Sequence, residues 1–458
     1  MLGALLAAPL VVLNGGPSEA LAAPAADQAL VKAMFATGRL SALADDQGEP
    51  LASLRAYANG TVSSHVVANQ NGIATTTYCT LDHAILQGLH DVIVKRGFSL
   101  RVSSINRLCE RDYALKPSYY SLHWENGGGH AVDVDKINGQ TAYANRTMAL
   151  RYINAMIAVM PPNTGVGQLS CWPGVSLPST WFAVPDNCNS VHIEYRGTDQ
   201  NWTAPTSSPY DYDGDAKDDV FAVRNDGYLF MYTGSAGAGF VPRQVSTGWN
   251  AMPNVLHGDY SGDGRSDLVA SDLYGTLWFY PGNGAGGWDS RQRVGSGWES
   301  MSLVTGGADD NGDGIPDVIA RRPDNTLWLF KGDGIGGFPA SQQVGTGWGG
   351  MRSLISGDFN GDGKGDLEAI DGAGTLWFYP GNGAGGWGAP RSVGSGWNAM
   401  DLITGGGDYD GDGKADLIGR RNSDSSVVLA RGDGTGTFSP GIPLNAPGAD
   451  WTTVIKLI

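Results

Sequence analysis

Five aspartate-rich segments of nine residues recur along the carboxy-terminal half of the chain. Their starts lie 48, 50, 49 and 50 residues apart. They read DYDGDAKDD from position 211, DYSGDGRSD from 259, DDNGDGIPD from 309, DFNGDGKGD from 358 and DYDGDGKAD from 408. Self-similarity at a fixed period indicates equal structural units that bury a core by packing against their neighbours. The second half of the chain is therefore predicted to be a repeat architecture.

Each segment places an oxygen-bearing side chain at positions 1, 3, 5 and 9, with glycine in the turn. Oxygens at this spacing can converge on one hard cation, and a backbone carbonyl and water complete the six or seven ligands that suit calcium. We therefore predict about five calcium ions, one in each loop. The predicted ligands are Asp211, Asp213, Asp215, Asp219, Asp259, Ser261, Asp263, Asp267, Asp309, Asn311, Asp313, Asp317, Asp358, Asn360, Asp362, Asp366, Asp408, Asp410, Asp412 and Asp416.

Two other interpretations of the loops are less favoured. An EF-hand requires Glu at position 12 and flanking helices, but that position of the last loop is Gly419 and the following residues are strand-like. A metal-free hairpin turn does not explain why the same four oxygen positions return five times. The net charge of -16 has the same origin, since five divalent ions would return +10 and leave about -6. The acidity therefore reflects ion ligands, and nucleic acid is not an expected partner.

The segments between the loops have the pattern of short strands. Alternating apolar stretches such as TLWFY (276–280) and TLWLF (326–330) are followed by GNGAGGW-like turns. About four strands per unit form a β-propeller blade, so five units predict an all-β five-bladed propeller. The chain's last residues, GADWTTVIKLI, resemble the strands that precede a calcium loop, whereas prolines interrupt the stretch before Asp211. The last strand is therefore predicted to complete the first blade; an open β-solenoid is the alternative.

These units resemble the FG-GAP or VCBS repeats of integrin α-subunit propellers and of many secreted bacterial proteins. The resemblance covers residues 210–458. It implies that the calcium ions are structural and that the propeller is an adhesion or binding module. Ten of the fourteen tryptophans lie in this region. They can stack on sugar rings or pack the blades, and fixed positions in each blade favour packing.

The chain begins with a short apolar stretch, MLGALLAAPLVVLNGG, followed by a small-x-small site at Ala20-Leu21-Ala22. This pattern predicts a secretory signal peptide over residues 1–22, too short to span a bilayer. No second apolar segment appears in the sequence, so a secreted, extracellular protein without a membrane span is expected.

All four cysteines lie before residue 200, and in an exported chain an even number indicates disulfide bonds. Three pairings are possible. Cys79 with Cys109 and Cys171 with Cys188 are favoured because they close short local loops. No CxxC spacing supports a thiolate metal site.

Residues 27–202 have a different pattern, which predicts an α+β domain. A helix is predicted over 81–97, a strand over 98–107 and a second helix over 148–160. The segment 203–209 is a linker to the propeller at 210–458. With 458 residues, the chain is long enough for two domains with separate cores.

A glycine-rich segment of this first domain, SLHWENGGGHAVDVD, carries two histidines and two aspartates. His123 and Asp133 lie on either side of the glycines, and His192 follows in NSVHIEYRG. Two imidazoles and one carboxylate with an open fourth position are typical of catalytic zinc. Water bound to such an ion has its pKa lowered toward neutrality and can attack an amide carbonyl. His83 and His90 lie on a predicted helix face and are not assigned to the site.

The order SxH, GxAxD, HxxY, after an Arg that ends a strand, resembles the zinc D,D-carboxypeptidases and D-Ala-D-Ala dipeptidases of peptidoglycan metabolism. These share a fold with the hedgehog signalling domain and lysostaphin-like peptidases. The resemblance implies a hedgehog/DD-peptidase-like fold with one zinc ion. His123, Asp133 and His192 would be its ligands, and Arg107 would steady the oxyanion or a substrate carboxylate.

The sequence departs from that family pattern in two places. The His-to-Asp spacing is ten residues rather than seven, which glycines can absorb by looping out. The family's general base, three residues before the last ligand, is Asn189 here, and an amide cannot take the proton of bound water. The candidate replacements are Glu194, which we assign to catalysis with Arg107, and Glu125, Asp135, Asp186 and His130. His130 is also an alternative ligand; in that case Asp133 would contact a ligand rather than the ion itself.

Two functions from different classes follow. The first is a secreted zinc peptidase or amidase that acts on cell-wall peptides and is tethered by the propeller. The second is a non-catalytic extracellular binding or adhesion protein with a degenerate peptidase-like domain. A glycosidase with paired carboxylates is a third, weaker possibility. The expected partner is peptidoglycan or another extracellular glycan or peptide, and a monomer is expected.

Overall fold

The structure is a computed structural model of the chain. It describes residues 23–42, 51–62, 64–68, 74–78, 80–105, 131–167, 171–172, 175, 177–178, 180–184, 190–196, 208–235, 239–444 and 446–458. The predicted signal peptide lies outside these residues. Within them, no helix combines the length and the apolar character that crossing a membrane requires.

The described amino-terminal residues form helices around a mixed sheet. The helices are α1 (Ala25–Ala36), α2 (Leu51–Ala58), α3 (His83–His90) and α4 (Arg146–Ile157). The strands are β1 (Leu40–Ala42), β2 (Ser64–Ala68), β3 (Ala74–Tyr78), β4 (Leu100–Ser104), β5 (Ala131–Ile137), β6 (Gln140–Thr141), β7 (Thr164–Gly167), β8 (Phe182–Val184) and β9 (Val191–Tyr195). The main sheet has the order β1-β4-β5-β9-β7-β8, with β6 beside β5, and β2 and β3 form a separate hairpin. Its outer pairs, β1 with β4 and β7 with β8, are parallel.

Local sequence signals explain where these helices begin. Asp82 caps α3 by accepting a 2.8 Å hydrogen bond from the Ala84 amide, so the helix predicted from 81 begins at His83 and continues as a π-helical turn, Asp91–Lys95. Asn145 caps α4 in the same way through the Met148 amide, at 3.1 Å. The helices α1 and α2 were not predicted. The more specific hedgehog/DD-peptidase-like fold remains a prediction.

The carboxy-terminal part contains five four-stranded antiparallel sheets. Blade 1 contains β10 (Val220–Arg224), β11 (Leu229–Ser235) and β12 (Gly239–Ser246); blade 2 contains β13 (Asn254–Gly258), β14 (Asp267–Ser271), β15 (Leu277–Tyr280) and β16 (Gln292–Gly295). Blade 3 contains β17 (Ser302–Gly306), β18 (Val318–Arg321), β19 (Leu327–Lys331) and β20 (Ala340–Gly345). Blade 4 contains β21 (Met351–Gly357), β22 (Asp366–Asp371), β23 (Leu376–Tyr379) and β24 (Arg391–Gly394). Blade 5 contains β25 (Met400–Gly405), β26 (Leu417–Arg421), β27 (Val427–Ala430) and β28 (Ile442–Pro443), and the final strand is β29 (Val454–Leu457). The prediction of a five-bladed propeller is confirmed.

The final strand closes the ring. β29 pairs antiparallel with β10 of blade 1, with Leu457 opposite Ala222. Phe221 and Ile458 exchange both backbone hydrogen bonds, at 3.1 and 2.9 Å. The first strands of consecutive blades, from β13 round to β29, contact one another and so surround the axis. The predicted closure is therefore confirmed, and the alternative of an open solenoid is wrong.

Aromatic pairs fill the space between most blades. In each pair a tryptophan that precedes the innermost strand lies against a ring on the third strand of the same blade. The ring centroids are 4.4 to 5.1 Å apart for Trp451–Tyr232, Trp298–Phe330, Trp249–Tyr280 and Trp348–Tyr379. These tryptophans pack the blades, which is the interpretation that their fixed positions favoured.

Candidate functional site

The five aspartate loops share one internal framework. The first aspartate of each loop accepts hydrogen bonds from amides further along its own loop, as Asp408 does from Gly411, Asp412 and Gly413 at 2.8 to 2.9 Å. The ninth-position aspartate is buried and accepts from an amide at the start of its loop, as Asp219 does from Tyr212 at 2.9 Å. Both ends of the loop are therefore fixed through carboxylate oxygens.

Glycines at the end of each blade's third strand complete this framework, and the sequence analysis missed them. Each donates its amide to the ninth-position carboxylate at 2.6 to 2.9 Å. A Cβ at Gly282 or Gly381 would lie 2.0 Å from a backbone oxygen, so only glycine fits. The signal was present in the sequence as a glycine 15 or 16 residues after each ninth-position aspartate. These residues are Gly234, Gly282, Gly332, Gly381 and Gly432.

Carboxylates converge in the first and last loops. One oxygen from each of Asp211, Asp213 and Asp219 lies within 4.8 Å of the others, and the same holds for Asp408, Asp410 and Asp416. The Oδ1 atom of Asp213 is buried without a hydrogen-bond partner among the described residues. Hard oxygen donors with an unsatisfied buried carboxylate atom fit calcium. The third position is Ser261, Asn311 or Asn360 in the other loops, so these offer one carboxylate fewer.

The fifth-position aspartates, also predicted as ligands, lie outside the two converging groups. In three loops this carboxylate pairs with the lysine two residues later: Asp215 with Lys217 at 2.9 Å, Asp362 with Lys364 at 2.8 Å, and Asp412 with Lys414 at 3.2 Å. The structure thus brings positions 1, 3 and 9 together more closely than position 5.

Burial raises the pKa of the ninth-position aspartates, and the other carboxylates of each loop add to the effect. The pKa reaches about 7 for Asp219, Asp317 and Asp416 and about 6 for Asp366. Crowded carboxylates of this kind hold protons when no cation compensates them. A divalent ion would supply that compensation.

The amino-terminal domain lies against the second and third loops. Arg96 Nη1 donates to the Gly262 carbonyl at 3.0 Å, and Asn154 Nδ2 donates to the Ser261 carbonyl at 2.9 Å. The side chain of Asp263 is only 10% exposed, whereas the equivalent Asp215, Asp362 and Asp412 are 34 to 39% exposed. The domain therefore shields the second loop from water.

The amino-terminal domain also places a positive charge, that of Arg151, near the third loop. Its seventh position is Ile315, where the other loops have Lys or Arg. Burial lowers the pKa of Arg151 on α4, but Asp313 and Asp333 favour its charged form. The nearby Ile335 packs against the amino-terminal core. Arg151 thus supplies the cation that this loop lacks.

Calcium in the second loop is expected to strengthen the contact between that loop and the amino-terminal domain. Docking removes water from the loop's carboxylates, and this is less costly when a bound cation compensates their charge. Asp259→Asn is expected to raise the radius of gyration above the roughly 23 Å of one compact body of this length, even with calcium present. The matched Asp408→Asn also disrupts one loop, but among the described residues the hydrogen bonds from the amino-terminal domain reach loop 2 and none reaches loop 5, so this variant is expected to stay compact. Small-angle X-ray scattering measures the difference. Equal radii for the two variants would contradict the expectation.

The described part of the predicted zinc site lies on two neighbouring strands. Asp133 on β5 is directly opposite His192 on β9, and both side chains are buried. His192 Nδ1 is 2.8 Å from Asp133 Oδ1, and Nε2 is 3.1 Å from Glu194 Oε2. Burial opposes protonation of His192, but the bonds to Asp133 and Glu194 outweigh it and raise its pKa to about 10. Zinc would require neutral imidazole and one of these two nitrogens.

The structure therefore brings Asp133 and His192 together, and the zinc site, with all of its ligands, remains a prediction. His123 and Arg107 lie outside the described residues, as do Asn189, Glu125, Asp186 and His130. Two candidate bases are already engaged: Asp135 accepts from Arg101 Nε at 3.0 Å, and Glu194 also pairs with Arg196 at 2.5 Å.

The two helix histidines and the cysteines add little to this site. His83 and His90 pair with Asp27 and Asp91, at 2.6 and 2.8 Å. Cys171 is not free. The other three cysteines lie outside the described residues, so the two favoured disulfide pairings remain predictions.

Comparison with known proteins identifies the repeats. The family described as FG-GAP-like repeat matches residues 211–270, 309–367 and 408–457. The carboxy-terminal half thus contains FG-GAP repeats built into a five-bladed propeller. No curated protein matches the chain.

Several solved structures align with about half of the chain. A lectin from Agrocybe aegerita, described as recognising non-reducing terminal N-acetylglucosamine, is 18% identical over 51% of this chain and 78% of its own, with a TM-score of 0.32. The BP39L lectin from Burkholderia pseudomallei is 14% identical over 52% and 69%, with a TM-score of 0.33. AofleA from Arthrobotrys oligospora is 11% identical over 50% and 70%, with a TM-score of 0.31. With TM-scores this low, none of these alignments bears on what the present chain binds.

Proposed function

We propose that the chain is an exported binding protein whose propeller is stabilised by calcium and attaches to a cell-wall or other extracellular glycan or peptide. The closed ring with converging carboxylates in its first and last loops is the observation that supports this proposal most. Calcium holds the loops, and the loops hold the strands that surround the axis. The ring then presents a rigid surface to a partner.

The amino-terminal domain supports the same function as a docked accessory domain. Arg96 and Asn154 hold it on the propeller, and His192 is engaged on both ring nitrogens by carboxylates. An asparagine at the usual base position is consistent with a domain that no longer hydrolyses its ligand.

Sedimentation tests the binding function directly. The full chain is mixed with isolated peptidoglycan, and separately with insoluble extracellular polysaccharides, in calcium and in EDTA. We expect calcium-dependent retention on at least one of these materials. Mass spectrometry of the metal content should find about five calcium ions. Absence of calcium from the folded protein, or no retention on any material, would count against the proposal.

A zinc-dependent peptidase or amidase acting on cell-wall peptides is the second candidate, and the contact between Asp133 and His192 favours it. These two residues and His123 would hold the ion, which would activate water for attack on an amide. Arg107 and Glu194 would orient the substrate and move the proton.

His192→Ala tests this candidate. We expect about one zinc ion in the wild type and none in the variant, with the same calcium content in both, because the calcium loops belong to the propeller. His83→Ala is the matched control, since His83 pairs with Asp27. If neither the wild type nor His83→Ala contains zinc, the hydrolase candidate is wrong and the binding function is unaffected.

A further inference from the structure

One position on the third strand of each blade is occupied by a ring in four blades and by a methyl group in the fifth. In each blade it lies opposite the residue that follows the ninth-position aspartate. The five residues are Tyr232, Tyr280, Phe330, Tyr379 and Ala430. The first four make the aromatic pairs with tryptophan that pack the blades. In blade 5, Ala430 cannot do so.

The missing ring leaves a cavity beside Trp397, the tryptophan that precedes blade 5. The cavity measures about 270 Å³ and lies between blades 4 and 5, where Trp397, Met400, Phe438 and Pro440 line it. Trp397 keeps its other contact, with Phe438 at a centroid distance of 6.4 Å. Trp249, Trp298 and Trp348 are only 4 to 8% exposed, whereas Trp397 is partly exposed, as is Trp451, which keeps its ring partner. Because Ala430 replaces the third-strand ring, Trp397 lines the cavity without that aromatic partner.

A second substitution in blade 5 enlarges the same space. Gly419 lines the cavity, and the equivalent residues of the other blades, three positions after the ninth-position aspartate, are all alanine. Blade 5 therefore lacks both a ring and a methyl group at one place. Native interiors are packed as densely as organic crystals, so a space of this size between otherwise regular blades is unusual.

We propose that this cavity binds a planar aromatic ring of a partner polypeptide, such as a tyrosine or phenylalanine side chain. The protein itself shows what fits, because Tyr or Phe fills the equivalent space in every other blade. The volume is ample, since an apolar cavity of about 150 Å³ accepts benzene.

The lining also selects the class of ligand. No charged side chain lines the cavity, and its polar side chains are the hydroxyls of Ser395 and Ser439. A sugar ring presents several hydroxyls that would lose water without enough partners. A phenol presents one, which a serine hydroxyl can satisfy. An aromatic ring stacked against Trp397 is therefore favoured over a sugar ring.

This inference goes beyond the proposed function, and the lining of the cavity includes no residue of the calcium loops or of the amino-terminal domain. The probe is p-cresol, the side-chain analogue of tyrosine, titrated into the calcium-loaded full chain and followed by calorimetry. Methyl β-glucopyranoside is titrated in parallel. We expect one p-cresol per chain and no heat from the glucoside.

Ala430→Tyr is the decisive variant, because it restores the ring that the other blades carry. We expect it to weaken p-cresol binding at least tenfold and to raise the unfolding temperature by about 2–4 °C, as filling a cavity does. Tyr379→Ala is the matched control and should open an equivalent space beside Trp348, adding a second p-cresol site at some cost in stability. If Ala430→Tyr does not fold, Ala430→Leu fills part of the same space.

Two outcomes would overturn the proposal. Unchanged p-cresol binding in Ala430→Tyr would place the ligand elsewhere. Binding of the glucoside in preference to p-cresol, lost in the same variant, would assign the cavity to carbohydrate.

Discussion

Removal of calcium with EDTA is expected to lower the unfolding temperature of the propeller by more than about 10 °C. Each occupied loop adds about 2.7 kcal/mol when free calcium is 100 times Kd, and 1 kcal/mol shifts the unfolding temperature of a domain of about 150–250 residues by about 2–4 °C. Five loops acting on one closed ring make this the largest effect. Without the ion, the several carboxylates of each loop repel one another and the buried aspartate, and this repulsion destabilises the loop.

Scanning calorimetry in calcium, in EDTA and in magnesium measures the effect. Magnesium should restore less stability, because it requires near-ideal octahedral geometry and gives up its bound waters reluctantly. Asp213→Asn is expected to lose part of the calcium effect, since it alters a converging ligand. Asp272→Asn is the control, because Asp272 lies outside the calcium loops and accepts a hydrogen bond from Trp278 Nε1. The same unfolding temperature in calcium and EDTA would refute the prediction.

Replacement of Glu368 by isoleucine is expected to stabilise the protein by about 3 kcal/mol at pH 7, because keeping the proton at that pH costs about 1.4 kcal/mol for each pH unit above the unfolded pKa. Glu368 is completely buried on β22, opposite Ile355 and Phe378, and neither carboxylate oxygen has a hydrogen-bond partner among the described residues. The equivalent residues of the other blades are Phe221, Val269, Ile319 and Ile418. Burial raises the pKa of Glu368 from 4.5 to about 10. At pH 7 the folded protein must therefore keep a proton that the unfolded chain releases.

The sign of the pH dependence follows from that shift. A folded pKa above the unfolded pKa favours folding at low pH, so this contribution is lost as pH rises from about 5 toward 10. In saturating calcium, the stability gained by Glu368→Ile should therefore grow with pH, by up to about 1.4 kcal/mol per pH unit. Glu368→Gln removes the titration but keeps a buried polar group, so it should gain less. A gain from Glu368→Ile that stays constant from pH 5 to pH 9 would contradict the raised pKa.

The propeller could be predicted because its evidence is periodic. A repeat of about 49 residues with a fixed ligand pattern defines the blade, and the unmatched strand at 454–457 then defines the closure. Glu368 and Ala430 were also visible in principle, because aligning the five repeats shows an acid and a methyl group where the others have apolar or aromatic side chains. Their consequences required the structure, since only packing shows that one is buried and the other leaves a cavity.

The amino-terminal domain was harder to predict because its determinants are not local. Asp133 and His192 meet through the register of two strands 59 residues apart, and no local pattern fixes that register. The contact of Arg96 with Gly262 joins residues 166 positions apart on different domains. A resemblance to known motifs could suggest the first contact. Nothing in the sequence suggested the second.

The pairing of β29 with β10 also sets the order in which the protein can fold. Until residues 454–457 have been synthesised, β10 has an unpaired edge, although β11 and β12 are already present on its other side. Unpaired edges are templates for association with other chains. The first blade is thus the last to be completed. A chain that lacks the residues of β29 would expose the edge of β10, which can pair with strands of other chains.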